Sequence, residues 1–364
     1  MDKQLVLLNP GPVNTTRNVK NALCKPDICH REKEFTELLC RVREKILHVA
    51  GVSNKVYAVV CFTGSGTAAV EASLTRLAGR GEKALVVING IYGRRMARIL
   101  EIAGADVIAL TSDWTKPPDI EAIKDSLARD KEIACVAMVH HETTTGLLNP
   151  VEEIGKLCRE LGKILMLDAV SSFCGEPLDI QGSGVNAICS TAGKCIHGMP
   201  GVSFIVVEKA LLERIRSHPP ASLYLDPITY YDMQERGEVP FTPGIPAFYA
   251  LDAALDELIQ NGGVDARIRH YERLSGMLHR GFAEMGFEFL VEPAYRSRTI
   301  TSLKLPEGWD YDNLHDYCKK SGYVIYAGQG KLAGSIFRVA NMGDLNEKHI
   351  EAFLNCIARY KDTR

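Results

Sequence analysis

Ile164-Leu165-Met166-Leu167-Asp168-Ala169-Val170-Ser171-Ser172 is the stretch that decides how this chain is read. Four apolar residues in a row, bounded by turn formers, fit a strand buried on both faces. The run ends in a single carboxylate, Asp168. Twenty-six residues later Lys194 stands alone in Ser190-Thr191-Ala192-Gly193-Lys194-Cys195, a setting of small residues. An acid closing a buried strand and a solitary lysine nearby place a proton-holding group and a nucleophilic amine in one neighbourhood.

Working outward, strand-like and helix-like segments alternate on both sides of this stretch. Strands are predicted at Val56–Phe62, Lys83–Ile88, Val107–Leu110, Ile133–Val139, Ile164–Leu167, Ala187–Ser190 and Val202–Val207. Helices are predicted at Arg31–Ala50, Ala68–Leu77, Arg94–Ala103, Pro118–Leu127 and Pro150–Leu161, the last with Asn149 as N-cap. The alternation predicts an α/β fold, a mostly parallel seven-stranded sheet sandwiched by helices. In such sheets ligands gather beyond the C-terminal ends of the strands. The Ser65 turn, the Tyr92 loop, the Thr143 loop and Asp168 each follow a predicted strand end, and Lys194 lies four residues past another.

Thr63-Gly64-Ser65-Gly66-Thr67 joins a strand to a helix. That layout binds phosphate, because the first N–H groups of the helix point outward and its dipole favours an anion. It also serves as a plain capped turn. It lacks the third glycine and acid of a dinucleotide fingerprint and the Gly-Lys-Ser/Thr of a P-loop. After Ser217 the pattern breaks into an irregular excursion that ends at Pro240-Phe241-Thr242-Pro243-Gly244. Two long helices follow, Ala247–Ile259 and Ala266–Met285, and the remainder has α+β character. The expected organisation is an N-terminal segment over the site (1–13), a large domain (14–250) and a smaller C-terminal α+β domain (251–364).

Bulk properties narrow the function. The 364 residues are 46% hydrophobic and 24% charged, and 43 basic against 45 acidic residues give a net charge of −2. No basic block supports nucleic-acid binding. No apolar stretch approaches the ~18 residues of a membrane span. The N-terminus lacks the pattern of a secretory signal. The eleven cysteines are scattered without a CxxC pair, which fits a reducing cytoplasm. His30, His140, His141 and His197 have no zinc-ligand spacing, so no metal is expected.

Taken together, the chain resembles the class V, fold-type I pyridoxal 5'-phosphate (PLP)-dependent aminotransferases over nearly its whole length, with its nearest likeness in the phosphonate-processing branch. The resemblance is carried by Leu8-Asn9-Pro10-Gly11-Pro12, Arg31-Glu32-Lys33-Glu34-Phe35, Thr63–Thr67, Asn89-Gly90-Ile91-Tyr92-Gly93, His141-Glu142-Thr143-Thr144-Thr145-Gly146, Asp168–Phe173, Lys194-Cys195-Ile196, Gly322–Tyr326 and Phe337-Arg338-Val339-Ala340-Asn341-Met342-Gly343. It implies that Lys194 holds the cofactor aldehyde as a Schiff base and later moves a proton. Asp168 would pair with the ring nitrogen, Tyr92 stack on the ring, and Thr143 reach the ring hydroxyl. Ser65, Gly66 and Thr67 would hold the phosphate. Thr242 would add a contact from the partner subunit of a homodimer. Arg338 would bind the acidic end of the substrate, with backbone near Gly11 closing over it. Plainer roles remain open for three of these: packing for Tyr92, an ion pair for Arg338 and a turn for Thr242.

The implied reaction moves an amino group from 2-aminoethylphosphonate to pyruvate, giving phosphonoacetaldehyde and alanine, or runs in reverse. Alternatives are an alanine–glyoxylate or serine–pyruvate type of aminotransferase, and a non-catalytic binding protein of the same fold. The chain departs from the family pattern near the lysine. Thr191-Ala192-Gly193 stands where Ser-Ala-Asn is more usual, and His197 where glutamine is. Val339-Ala340 replaces a more usual Ile-Gly. These changes bear on the amino donor rather than on the cofactor.

Overall fold

The computed structural model describes residues 5–363. Seven strands form the main sheet: β1 (Tyr57–Gly64), β2 (Lys83–Ile88), β3 (Asp106–Thr111), β4 (Ile133–Val139), β5 (Ile164–Asp168), β6 (Ala187–Thr191) and β7 (Gly201–Glu208). Their order across the sheet is β1-β7-β6-β5-β4-β2-β3. Only β7 runs against its neighbours, pairing antiparallel with both β1 and β6. All other pairings are parallel. The C-terminal ends of β1, β2, β4, β5 and β6 therefore share one edge, as the sequence predicts.

Alternation along each strand builds a core on each face of the sheet. Leu85, Val87, Val136, Met138, Leu165 and Leu167 pack on one side. Ala84, Val86, Ala137, Val139, Ile164 and Met166 pack on the other, with Tyr92 and Val170 against them. Side chains on a strand alternate faces, so Asp168 shares parity with Ile164 and Met166. The carboxylate thus lies on the side that holds Tyr92 and Val170.

Some elements differ from expectation for identifiable reasons. Helix α1 spans Gly66–Leu77 and starts two residues early. Helix α2 spans Ile91–Ala103 and starts three residues early. The opening of α2 is capped from a distant loop, where Glu142 Oε2 accepts from the N–H groups of Tyr92 (3.2 Å) and Gly93 (3.4 Å). Local sequence carries no sign of that cap. Asn149 is not an N-cap. Its amide bonds Val139 O (2.7 Å) and Asn89 (2.7 Å), tying the ends of β2 and β4 together, and Pro150 occupies the cap position. The excursion after Ser217 contains a helix, Pro227–Gln234, capped by Asp226. Gln234 bonds both backbone groups of Cys61, at 3.0 and 2.7 Å, and so covers the open edge of β1.

Helix α3 (Ile245–Gln260) sends Leu251, Ala254, Leu255 and Leu258 into the core of the main sheet. The expected boundary at 250/251 therefore falls inside a helix that belongs to that core. A separate core begins with Leu274 of α4 (Gly263–Glu284) and runs through Phe337 and Val339 to Tyr360. Leu8 belongs to this second core, and Val6–Leu7 pairs in parallel with Tyr323–Val324. Of the expected N-terminal segment, residues 1–4 lie outside the described residues, as does Arg364 of the C-terminal domain. No helix among the described residues is long and apolar enough to cross a membrane.

Candidate active site

A cavity of about 250 Å³ opens at the shared strand edge. Gly11, Ser65, Gly66, Thr67, Tyr92, Thr143, Asp168 and Lys194 all line it. Two of the expected site residues do not. Thr242 is exposed in the turn before α3, although Gly244 N–H of that turn bonds Thr63 Oγ1 (3.0 Å) beside the Ser65 turn. Arg338, 1% exposed, sits in the strand Ile336–Ala340, behind the cavity wall.

Lys194 is half-buried and its ammonium donates to the carbonyl of Pro10. A Cβ on Gly11 would lie 2.8 Å from Lys194 Cε, and Gly11 has φ +118°. A side chain there would both strain the backbone and displace the lysine. Burial pushes the Lys194 amine down to about 8. Arg338 and Arg95 push it the same way, against the pull of Asp168. Asp168 is buried, and its Oδ1 accepts from Val170 N–H (2.9 Å). Burial pushes its carboxyl up to about 6, opposed by that hydrogen bond and by Arg95 and Lys194. The acid is still mainly ionised at neutral pH.

The Ser65 turn is built to be open. Ser65 is the N-cap residue of α1, yet its hydroxyl makes no cap bond. The N–H groups of Gly66 and Thr67 precede the first intrahelical bond. A Cβ on Gly66 would lie 2.8 Å from both methyl carbons of Val170, so the turn passes too close to the β5 loop for any other residue. Across the cavity Thr143 Oγ1 is buried without a partner, as is Nε2 of His141, another wall residue.

The Thr143 loop is fixed from two sides. Arg338 Nη1 donates to Thr143 O (2.6 Å), while Nε and Nη2 donate to Ala327 O (2.9 and 2.7 Å). Three of the five guanidinium N–H groups are thereby used, leaving two. On the other side, fully buried Glu142 accepts from Thr144 N–H (3.0 Å) and from the Thr144 hydroxyl, which in turn accepts from Ile91 N–H (3.1 Å). Burial pushes the Glu142 carboxyl up, and the Thr144 bonds pull it back.

Several groups here were not singled out from sequence: Arg95, Glu142, and the wall residues Val139, Val170, Ser171 and Pro200. Arg95 lies three residues after Tyr92 and shares its helix face, but only because the helix starts at Ile91 rather than at the expected Arg94. For Glu142 the only hint was its position between His141 and Thr143. Of the residues that depart from the family pattern beside the lysine, Thr191 and Gly193 line the cavity and His197 does not. His197 is buried with φ +66°. Its Nε2 accepts from Gly343 N–H (3.0 Å) and lies 2.6 Å from the Tyr271 hydroxyl, linking the lysine loop to the C-terminal core.

Among known proteins, a family model described as aminotransferase class-V matches residues 16–342. The chain is 35% identical over 361 residues to the 2-aminoethylphosphonate–pyruvate transaminase of Bacillus cereus strain Q1, covering 98% of each. It superposes on alanine–glyoxylate aminotransferase from Nostoc sp. with a TM-score of 0.91 at 27% identity, covering 98% of this chain and 96% of the other. Pyridoxamine–pyruvate aminotransferase from Mesorhizobium loti shares the fold with a TM-score of 0.93 at 24% identity, over 99% and 93%.

Proposed function

The chain belongs to the class V aminotransferases, and from that premise we propose that it transfers an amino group between 2-aminoethylphosphonate and pyruvate, forming phosphonoacetaldehyde and L-alanine or running in reverse. The observation that carries the substrate is the full-length 35% identity to transaminases of that name. The cofactor of the family is pyridoxal 5'-phosphate, and the residues present fit it. An unpartnered buried hydroxyl (Thr143), an uncapped helix start with a free serine hydroxyl (Ser65), an ionised acid (Asp168) and a lysine of lowered basicity converge on one cavity.

When bound, the cofactor supplies an aldehyde for an amine and a ring that accepts electrons. The chain's own residues then have separate tasks. Lys194 Nζ holds the cofactor and, once free, takes the proton released from the substrate carbon. Its value near 8 suits a base working at neutral to mildly alkaline pH. Asp168 holds the proton of the ring nitrogen. Tyr92 covers a ring face and Thr143 Oγ1 meets the ring hydroxyl. Ser65, Gly66 and Thr67 bind the phosphate. Arg338 stands behind the wall, fixing the Thr143 loop, and its two remaining N–H groups are the donors we assign to the phosphonate or carboxylate of the substrate once that wall moves aside. Gly11 leaves room above Lys194.

The protein acts as a cytoplasmic homodimer in which Thr242, exposed on its own subunit, completes the neighbour's phosphate site. The large unit extends to the end of α3, and the smaller one starts with α4 and also takes up Val6–Leu8. Purified protein supplemented with cofactor is to be titrated with 2-aminoethylphosphonate, serine or alanine, following the cofactor absorbance and keto-acid-dependent product formation. Turnover with 2-aminoethylphosphonate and pyruvate is expected. Turnover with serine or alanine alone would move the protein to the alanine–glyoxylate or serine–pyruvate type. The absence of protein-bound cofactor absorbance after excess cofactor is removed would leave only a binding role.

A further inference from the structure

The Ser65 turn offers hydroxyls and N–H groups but has no cation of its own, whereas a phosphate dianion is best held with one. A cation that touches the turn is Arg95, on the second turn of α2. Its Nη1 donates to Thr67 Oγ1 (3.2 Å), its guanidinium lies 4.7 Å from the centre of the Tyr92 ring, and it lines the cavity. The Tyr92 contact covers one ring face. Among the described residues no carboxylate lies within ion-pair distance of Arg95. The adjacent Arg94 points elsewhere, onto Trp114 at 5.0 Å. An exposed guanidinium normally wanders. This one is held by a hydroxyl and an aromatic face, and its positive field reaches both Asp168 and Lys194.

We propose that Arg95 is the cation of the phosphate cup, binding the cofactor's phosphate together with Ser65, Gly66 and Thr67. The contact with Thr67, rather than with the Arg338 side of the cavity, assigns it to the cofactor instead of the substrate. A guanidinium suits the task because it stays charged at every working pH and presents paired donors. Through Tyr92 the same side chain steadies the aromatic ring over which the cofactor lies.

The proposal rests on reading the cavity as the cofactor's, and the test separates the two. Dissociation constants for pyridoxal 5'-phosphate and for pyridoxal, which lacks the phosphate, are measured by absorbance titration of the cofactor-stripped full chain. Wild type, Arg95→Gln and Arg95→Lys are compared, with circular dichroism reporting the fold. Arg95→Gln should weaken the phosphorylated ligand roughly ten- to a hundredfold and leave pyridoxal unchanged. Arg95→Lys, keeping the charge but not the fork, should fall between. Equal weakening of both ligands would mean a structural role and overturn the proposal. Unchanged affinity for both, with a raised KM for the amino donor, would reassign Arg95 to the substrate. Wild-type protein with no preference for the phosphorylated ligand would sink the phosphate cup and this proposal with it.

Discussion

Asp168→Asn should stabilise the cofactor-free protein while disabling it. The carboxyl is 6% exposed, and burial moves it from 3.8 to about 6. That displacement corresponds to roughly 3 kcal/mol of penalty for holding the charge inside the fold. The sign follows from proton binding. Between pH 3.8 and about 6 the folded chain binds more protons at this site than the unfolded chain, so stability falls as pH rises through the window. Above it the whole cost is present, and below it there is none. Asparagine keeps the shape and can still accept from Val170 N–H, but carries no charge. The variant should therefore be more stable than wild type by up to about 3 kcal/mol at pH 7.5, with the gain shrinking toward pH 4. Urea unfolding of both stripped proteins, at equal concentration across that pH range, measures it. With cofactor present the order should reverse, because the ring nitrogen loses its carboxylate. A variant less stable than wild type at pH 7.5, or a gain independent of pH, would refute the argument that burial sets the Asp168 charge state.

Two further outcomes follow from neighbouring groups. Glu142→Ala strips the acceptor from Tyr92, Gly93 and Thr144 N–H groups in a buried setting. It should cost about 3 kcal/mol or more, read as a lowered Tm, and a Tm within experimental error of wild type would exclude the capping role. For Lys194, whose amine is pushed down to about 8, only the neutral form attacks. The rate of cofactor uptake by stripped protein should climb with pH and level off near 8, and a climb continuing to the ordinary lysine range near 10.5 would show that burial does not depress it.

Strand existence, the parallel sheet and most of the cavity wall were legible because they rest on short-range signals. Apolar runs at strand spacing, the glycine turn and the lone lysine each announce themselves within a few residues. What stayed hidden depends on residues far apart in the chain. The cap on α2 comes from Glu142, fifty residues on, and Asn149 leaves its expected post to bond Asn89. The excursion after Ser217 conceals a helix whose Gln234 finishes the edge of β1. The withdrawal of Arg338 behind the wall, with three N–H groups already committed to carbonyls, likewise depends on strands that meet only in the folded chain.

The pairing of Val6–Leu7 with Tyr323–Val324 has a temporal consequence. Pro10 and Gly11, which roof Lys194, are made about 310 residues before the strand that anchors them. The sheet, the lysine loop and the Ser65 turn can assemble during synthesis, since domains fold as the chain emerges. The roof cannot. Its closure joins segments more than three hundred residues apart and must await emergence of Tyr323–Val324, a contact of the kind that slows folding. A chain stopped short of residue 323 would carry every cofactor-holding side chain named above and still leave its lysine uncovered.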